Sequence, residues 1–203
     1  MPLFQEITPS EHQHIAIWSI SETAEELEQM CTAKGIGLEQ TPQSRHQVRV
    51  NQWMATRLLL HQILGKVDLT YDEYGKPILA HGPHLSISHA KQFVVIHMDH
   101  KKENGVDIEE ISEKVERIQH KFLVESEIQK YRSLEDLTLC WSAKEALYKT
   151  YGKKRVDFKA HLHVLKMDKA LQRISGHIDL PNFNEKIELS WKKIDNFVMV
   201  YTV

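Results

Sequence analysis

Hydrophobic and polar positions change period several times along this chain. His14-Ile15-Ala16-Ile17-Trp18-Ser19-Ile20 alternates with the period of two expected of a half-buried strand. From about Glu22 to Lys34 the spacing becomes helical, and Thr23 with Glu26 can form a reciprocal cap at its start. A longer helix is predicted from Pro42 or Ser44 to Leu64, because Val48, Trp53, Leu58, Leu59 and Ile63 recur at helical spacing and Gly65 closes the run. Several of its polar positions are basic: Arg45, Arg49 and Arg57. Turn signals at Tyr74-Gly75-Lys76-Pro77 precede short apolar segments at 78–79, 85–87 and 93–98, which read as strands.

The polar run Asp99-His100-Lys101-Lys102-Glu103-Asn104 separates this half from the next. A strand around Asp107 opens the second half, and charged helical stretches follow at about 113–122 and 125–132. A strongly helical run then spans roughly Leu134 to Tyr151, ending at Gly152. Segments 162–166, 173–179, 186–191 and 197–202 alternate or carry β-branched residues, the pattern of an antiparallel meander. The expected class is α+β, with two subdomains, 1–102 and 103–203, each made of helices packed on a mostly antiparallel sheet. Their similar length and element content permit a pseudo-twofold.

Composition narrows the function classes. With 203 residues, 41% of them hydrophobic and 27% charged, the chain can bury a substantial core and is ordinary for a globular protein. A formal net charge of -2 argues against general nucleic-acid binding, which needs a strong basic excess. The stretch from Met1 to His14 lacks a basic segment followed by an apolar core, and apolar runs such as 93–96 are far too short to span a bilayer. Cys31 and Cys140 make neither a disulfide framework nor a Cys-x-x-Cys pair. A cytoplasmic protein without membrane association is expected. The histidine pairs His12/His14, His81/His84, His97/His100 and His161/His163 lack the helical spacing and acid partner of zinc enzymes, and read as polar surface.

Two segments carry chemistry. In Gly105-Val106-Asp107-Ile108-Glu109-Glu110, the two acids at Asp107 and Glu109 share one face of a strand, while Val106 and Ile108 pin the other. In Trp141-Ser142-Ala143-Lys144-Glu145-Ala146-Leu147-Tyr148-Lys149, Glu145 and Lys149 lie one helical turn apart. Leu139, Ala143, Ala146, Leu147 and Thr150 form the buried stripe, with Trp141, Glu145, Tyr148 and Lys149 on another flank. Magnesium takes hard oxygen ligands and keeps waters, so Asp107, Glu109 and Glu145 together with substrate phosphate oxygens suit it. Ser88 and His89 end a short strand and face opposite ways, so they cannot act as a nucleophile and its base. His89 can still donate to a phosphate, and Lys76 sits in a turn that could approach the same ligand.

Gly-Val-Asp-Ile-Glu and Trp-Ser-Ala-Lys-Glu-Ala-Leu-Tyr-Lys, preceded by Gly-Lys-Pro and Ser-Ile-Ser-His, resemble the 4′-phosphopantetheinyl transferases over about 45–158. The likeness is to the longer, Sfp-like type, in which two similar subdomains lie in one chain. Lys121-Phe122-Leu123 followed by Glu127 also fits the pattern. The resemblance implies transfer of the phosphopantetheine arm of coenzyme A to a serine of an apo acyl or peptidyl carrier protein, releasing adenosine 3′,5′-bisphosphate. It implies that Asp107, Glu109 and Glu145 hold magnesium, with Glu145 also the base and Lys149 acting beside it. Arg57, Lys76, Ser88, His89, Lys144 and Lys149 would bind coenzyme A. Ala90 follows His89 where many members have serine, and Thr150-Tyr151-Gly152-Lys153-Lys154-Arg155 lacks a glycine and leucine that often follow the helix.

A metal-dependent nuclease also combines strand acids with a glutamate and a lysine, but it typically places the lysine two residues beyond the second acid, where this chain has Ile111. A coenzyme A or carrier-binding module that has lost catalysis is disfavoured by the presence of all three acids. A monomer is expected, because two subdomains in one chain can build the site internally.

Overall fold

The structure, a computed structural model, describes residues 3–66 and 68–203; Met1 and Pro2, where the stretch read for a signal begins, lie outside them. The first sheet has the order β1-β2-β6-β5: β1 (Leu3–Ser10), β2 (Gln13–Ser19), β6 (Phe93–Asp99) and β5 (His84–Ala90). The second has the order β7-β11-β10-β9-β8: β7 (Val106–Glu110), β11 (Phe197–Thr202), β10 (Phe183–Ile194), β9 (Arg173–Leu180) and β8 (Leu162–Asp168). Every pairing is antiparallel. The anticipated meander is β8 to β11, and β7 joins its end by pairing with β11.

Strand alternation sorts the side chains into layers. Ala16, Trp18, Val94, Ile96 and Met98 face α1 (Ala24–Ala33) and α2 (Gln47–Leu64). Their neighbours Ile15, Ile17, Phe93 and Val95 face the other way and pack on Val106, Ile108, Phe197, Met199 and Tyr201 of the second sheet. The far face of that sheet, including Ile174, Ile178, Leu189, Val198 and Val200, carries α5 (Leu134–Tyr151). The result is helix, sheet, sheet, helix, with a core at each of the three contacts. Each fully buried Leu or Ile contributes roughly 1.5–3 kcal/mol to holding these layers together.

Local signals explain the boundaries. Thr23 and Glu26 make the reciprocal cap of α1, with Glu26 N donating to Thr23 Oγ1 at 3.2 Å and Thr23 N to Glu26 Oε2 at 2.8 Å. Ser133 Oγ accepts from Asp136 N at 3.1 Å to start α5, and Gly152, at φ 69°, ends it in the left-handed conformation that glycine adopts cheaply. Helix α2 starts at Gln47, later than Pro42 or Ser44, and His46 caps it without a side-chain hydrogen bond. Val48, placed on its apolar stripe by spacing, is 54% exposed on the first turn.

Between 113 and 132 the chain makes two short helices, α3 (Lys114–Ile118) and α4 (Glu125–Lys130), linked through a 3-10 turn at Gln119–Lys121. Two short strands, β3 (Leu69–Tyr71) and β4 (Pro77–Leu79), form a hairpin whose turn is closed by Asp72 Oδ1 accepting from Tyr74 N and Lys76 N. No helix among the described residues is long and apolar enough to cross a membrane.

Candidate active site

The two sheets meet edge to edge at β5 and β7, which run in the same direction. No backbone ladder joins them there. Ser86 Oγ accepts from Val106 N at 3.0 Å and Ser88 Oγ accepts from Ile108 N at 3.2 Å, so two hydroxyls satisfy edge donors that would otherwise be buried unpaired. Helix α5 closes over this seam at very short range. A Cβ on Gly105 would lie 1.9 Å from the carbonyl oxygen of Ala146, so only glycine lets the start of β7 pass under the helix.

That approach delivers the predicted acids and lysine to one place. Lys149 Nζ donates to Asp107 Oδ1 at 2.8 Å and to the Val106 carbonyl at 2.9 Å. Ser88 Oγ donates to the same Asp107 oxygen at 2.9 Å, whereas Asp107 Oδ2 is buried with no hydrogen-bond partner. Glu109 stands two residues on, with Oε1 accepting from Trp141 Nε1 at 3.0 Å. Trp141 is fixed in turn by stacking on Phe158, with ring centroids 5.4 Å apart, and by a tilted contact with Phe122 at 5.0 Å.

Crowding of carboxylates sets the electrostatics. Burial, then the charges of Asp107 and Glu109, push the Glu145 carboxyl up to about 7 against the opposing pull of Lys149. Glu109 is raised as well, by burial and by Asp107, while the Trp141 N–H and two lysines resist. A carboxyl poised near neutrality has the range of a general base. Among the described residues, no group of three or more His, Cys, Asp or Glu side chains is already closed around a metal position. The donor set nonetheless suits magnesium, which keeps waters and substrate oxygens: Glu109 and Glu145 both feel the charge of Asp107, whose Oδ2 is buried and unpartnered.

A basic cleft of about 450 Å³ adjoins the seam, with Arg49, Arg57 and His89 among its walls together with Trp53, Tyr71, Gly75, Pro77 and Ile87. The Arg57 guanidinium lies 3.5 Å from the centre of the Trp53 ring, a stacking that presents it rigidly. His89 has an exposed edge, yet the protein mass around its ring, with Lys149 and Arg49, holds its pKa below the ordinary imidazole value, and Asp107 opposes them. A second cavity of about 210 Å³, lined by Tyr148, Lys149, Leu85 and Ser86, shares Gly75, Pro77 and Ile87 with the first. Asp107, Glu109, Glu145 and Lys149 therefore gather at the seam, and Arg57 and His89 line the cleft leading to it. Arg49, another of the basic positions of α2, lines it too.

Three expected coenzyme A ligands lie elsewhere or are already engaged. Lys144 is completely buried on the far side of α5, with Nζ donating to the Phe122 carbonyl at 2.5 Å, Glu127 Oε2 at 2.8 Å and the Phe158 carbonyl at 3.2 Å. All three of its donors are spent inside the protein, so it braces the 122–127 segment and the loop carrying Phe158. Lys76 lines the second cavity with Lys149, and its ammonium is already engaged, pairing with Glu103 and reaching the Thr150 carbonyl at 3.5 Å. Ser88 has committed its one proton to Asp107. The helical wheel held the signal for Lys144, which falls one turn after Cys140 and two turns after Leu137, both of them buried.

His97 also departs from the polar surface expected of the histidine pairs. It is completely buried between the sheets, with Nδ1 3.4 Å from the Gly105 carbonyl and the ring edge-on to Tyr201. Cys31 and Cys140 are both free and buried. Sequence reasoning gave no role to the Trp141 N–H on Glu109 or to Ser86 at the seam. Only alternation along β5, which puts Ser86 and Ser88 on the face turned toward the second sheet, hinted at the latter.

No curated protein matches the chain. Residues 103–202, the segment that carries Asp107, Glu109, Glu145 and Lys149, match the family model of the 4′-phosphopantetheinyl transferase superfamily. It is to this superfamily of transferases that the chain belongs.

Proposed function

We propose that the protein moves the 4′-phosphopantetheine arm of coenzyme A onto a serine of an apo acyl or peptidyl carrier protein, releasing adenosine 3′,5′-bisphosphate, in a magnesium-dependent reaction. The observation that carries this reading is the convergence of Asp107, Glu109, Glu145 and Lys149 where two sheets meet, beside a basic cleft large enough for a nucleotide. The division into subdomains 1–102 and 103–203 and the longer, two-subdomain type belong to the same reading. So does a cytoplasmic monomer.

In this account Arg57, Arg49 and His89 receive the anionic nucleotide end. Lys149 meets the pyrophosphate from inside the seam, its ammonium steered by Asp107 and the Val106 carbonyl. Asp107, Glu109 and Glu145 would hold magnesium, which when bound supplies charge neutralisation on the pyrophosphate oxygens. Glu145 takes the proton of the carrier serine as its oxygen forms a bond to the phosphorus bearing the pantetheine arm. The anhydride P–O bond breaks and its electrons leave with adenosine 3′,5′-bisphosphate. Positioning and electrostatics do most of the work in such transfers, and a placed base typically adds roughly a hundredfold to ten-thousandfold.

Incubation with magnesium, coenzyme A and a panel of apo carriers from fatty-acid, polyketide and nonribosomal-peptide systems tests the reading. One carrier or more should gain the mass of a phosphopantetheine arm. Binding of coenzyme A without a mass gain on any carrier would favour the alternative, an inactive coenzyme A or carrier-binding module.

A further inference from the structure

Asp107 is held asymmetrically. Its Oδ1 receives two donors from two different elements, Ser88 Oγ of β5 at 2.9 Å and Lys149 Nζ of α5 at 2.8 Å, while Oδ2, equally buried, receives none. A carboxylate oxygen buried without a partner carries an uncompensated desolvation cost, so the arrangement points to something that this atom binds. The geometry of Ser88 explains how the asymmetry is fixed. Its hydroxyl accepts from Ile108 N at 3.2 Å, which orients the oxygen and sends its single proton toward Asp107. With that proton spent and the residue 6% exposed, Ser88 has nothing left to offer a phosphate. Its neighbour His89, on the opposite face of the strand, is the one exposed to the cleft.

We infer that Ser88 is a positioning residue: reaching from the first sheet, it saturates Asp107 Oδ1 and leaves Oδ2 as the one atom through which this carboxylate binds a hard divalent cation. The inference rests on the metal-dependent reading of the site and assigns the atom and the residue that orients it. Ser86 provides an internal control. It bridges the same two strands through Val106 N at 3.0 Å and is 3% exposed, but hydrogen-bonds to no carboxylate.

The test uses the full chain and manganese as the probe, with free Mn2+ followed by electron paramagnetic resonance in the absence of coenzyme A. Wild type should bind one ion, and Asp107→Ala should abolish binding. Ser88→Ala should weaken it about tenfold, the lower end of what losing an outer-shell partner costs. Ser86→Ala should lose comparable thermal stability yet keep wild-type manganese affinity. Wild-type affinity in Ser88→Ala, or an equal loss in Ser86→Ala, would overturn the positioning role while leaving the metal reading intact. A raised KM for coenzyme A with unchanged manganese affinity in Ser88→Ala would make Ser88 a ligand contact and overturn it as well. If wild type binds no manganese, the metal reading and this inference fall together.

Discussion

A Cβ on Gly105 would stand 1.9 Å from the carbonyl oxygen of Ala146 and 2.6 Å from Thr150 Oγ1, so the acidic strand and helix α5 touch through a glycine. Gly105→Ala must push α5 away from β7, because the clashing atom is backbone. The expected cost is about 3 kcal/mol in chemical denaturation, at the upper end of overpacking penalties. Turnover of the folded fraction should fall as well, since Lys149 would leave Asp107. A variant with wild-type stability would show that the helix does not sit this close.

Lys144 and Glu127 form a buried ion pair at 2.8 Å, and Glu127 Oε1 also accepts from Val164 N at 3.1 Å. Burial draws the Lys144 pKa down while Glu127 draws it up. Lys144→Met strands the carboxylate and should cost roughly 3–5 kcal/mol, whereas Lys144→Met with Glu127→Gln, which removes the charge and keeps an acceptor for the backbone, should recover part of it. Equilibrium dialysis of coenzyme A against the folded single variant should give wild-type affinity. A large loss of affinity would return Lys144 to the ligand set.

Trp141→Phe keeps the stacking on Phe158 but removes the N–H that Glu109 accepts. Glu109 should then be less ionised and less well aimed. The expected outcome is about a tenfold weaker magnesium dependence of turnover, as for other outer-shell losses, read from the magnesium concentration giving half-maximal rate. An unchanged magnesium titration would mean that Trp141 merely lines the cleft.

Acidification should separate two titrating groups of opposite sense. Burial, aided by Lys102 and opposed by the Gly105 carbonyl and Asp99, lowers His97 to about 4 from its ordinary 6.5. The folded state therefore binds fewer protons than the unfolded one between those values, and the stability His97 contributes is lost as pH falls through that window, by up to about 3 kcal/mol. Glu145 is raised to about 7 from 4.5, so the folded state binds more protons there and gains stability on acidification, by a similar amount. Glu145→Gln removes only the second contribution. Between pH 7.5 and 4.5 the metal-free variant should lose about 3 kcal/mol more than metal-free wild type in denaturant titrations; parallel profiles would contradict the raised carboxyl.

Much of this molecule could be read from spacing. Helix α5 matches its expected bounds because Ser133 and Gly152 mark its ends and Leu139, Ala143, Ala146, Leu147 and Thr150 hold one face. Strand β7 carries its acids on one face for the same reason. Strand β1 was not legible: Pro9 and Glu6 break its pattern, which an edge strand tolerates, and its register with β2 slips between Ile7 and Ser10. The motif around Glu145 named Lys144 by residue type, but only packing shows that its ammonium is consumed by Phe122, Glu127 and Phe158. Ser88 was visible as a polar residue beside His89; that its proton goes to an aspartate on the other sheet depends on an edge-to-edge meeting that no local pattern encodes.

The central claim is that Glu145, at the seam, acts in phosphopantetheine transfer itself. Release of adenosine 3′,5′-bisphosphate at saturating magnesium, coenzyme A and an accepted apo carrier compares wild type with Glu145→Gln most directly, alongside coenzyme A binding by each. The variant should bind coenzyme A and release product at least about a hundredfold more slowly, the lower bound for losing a placed base. Near wild-type release by Glu145→Gln would contradict the account.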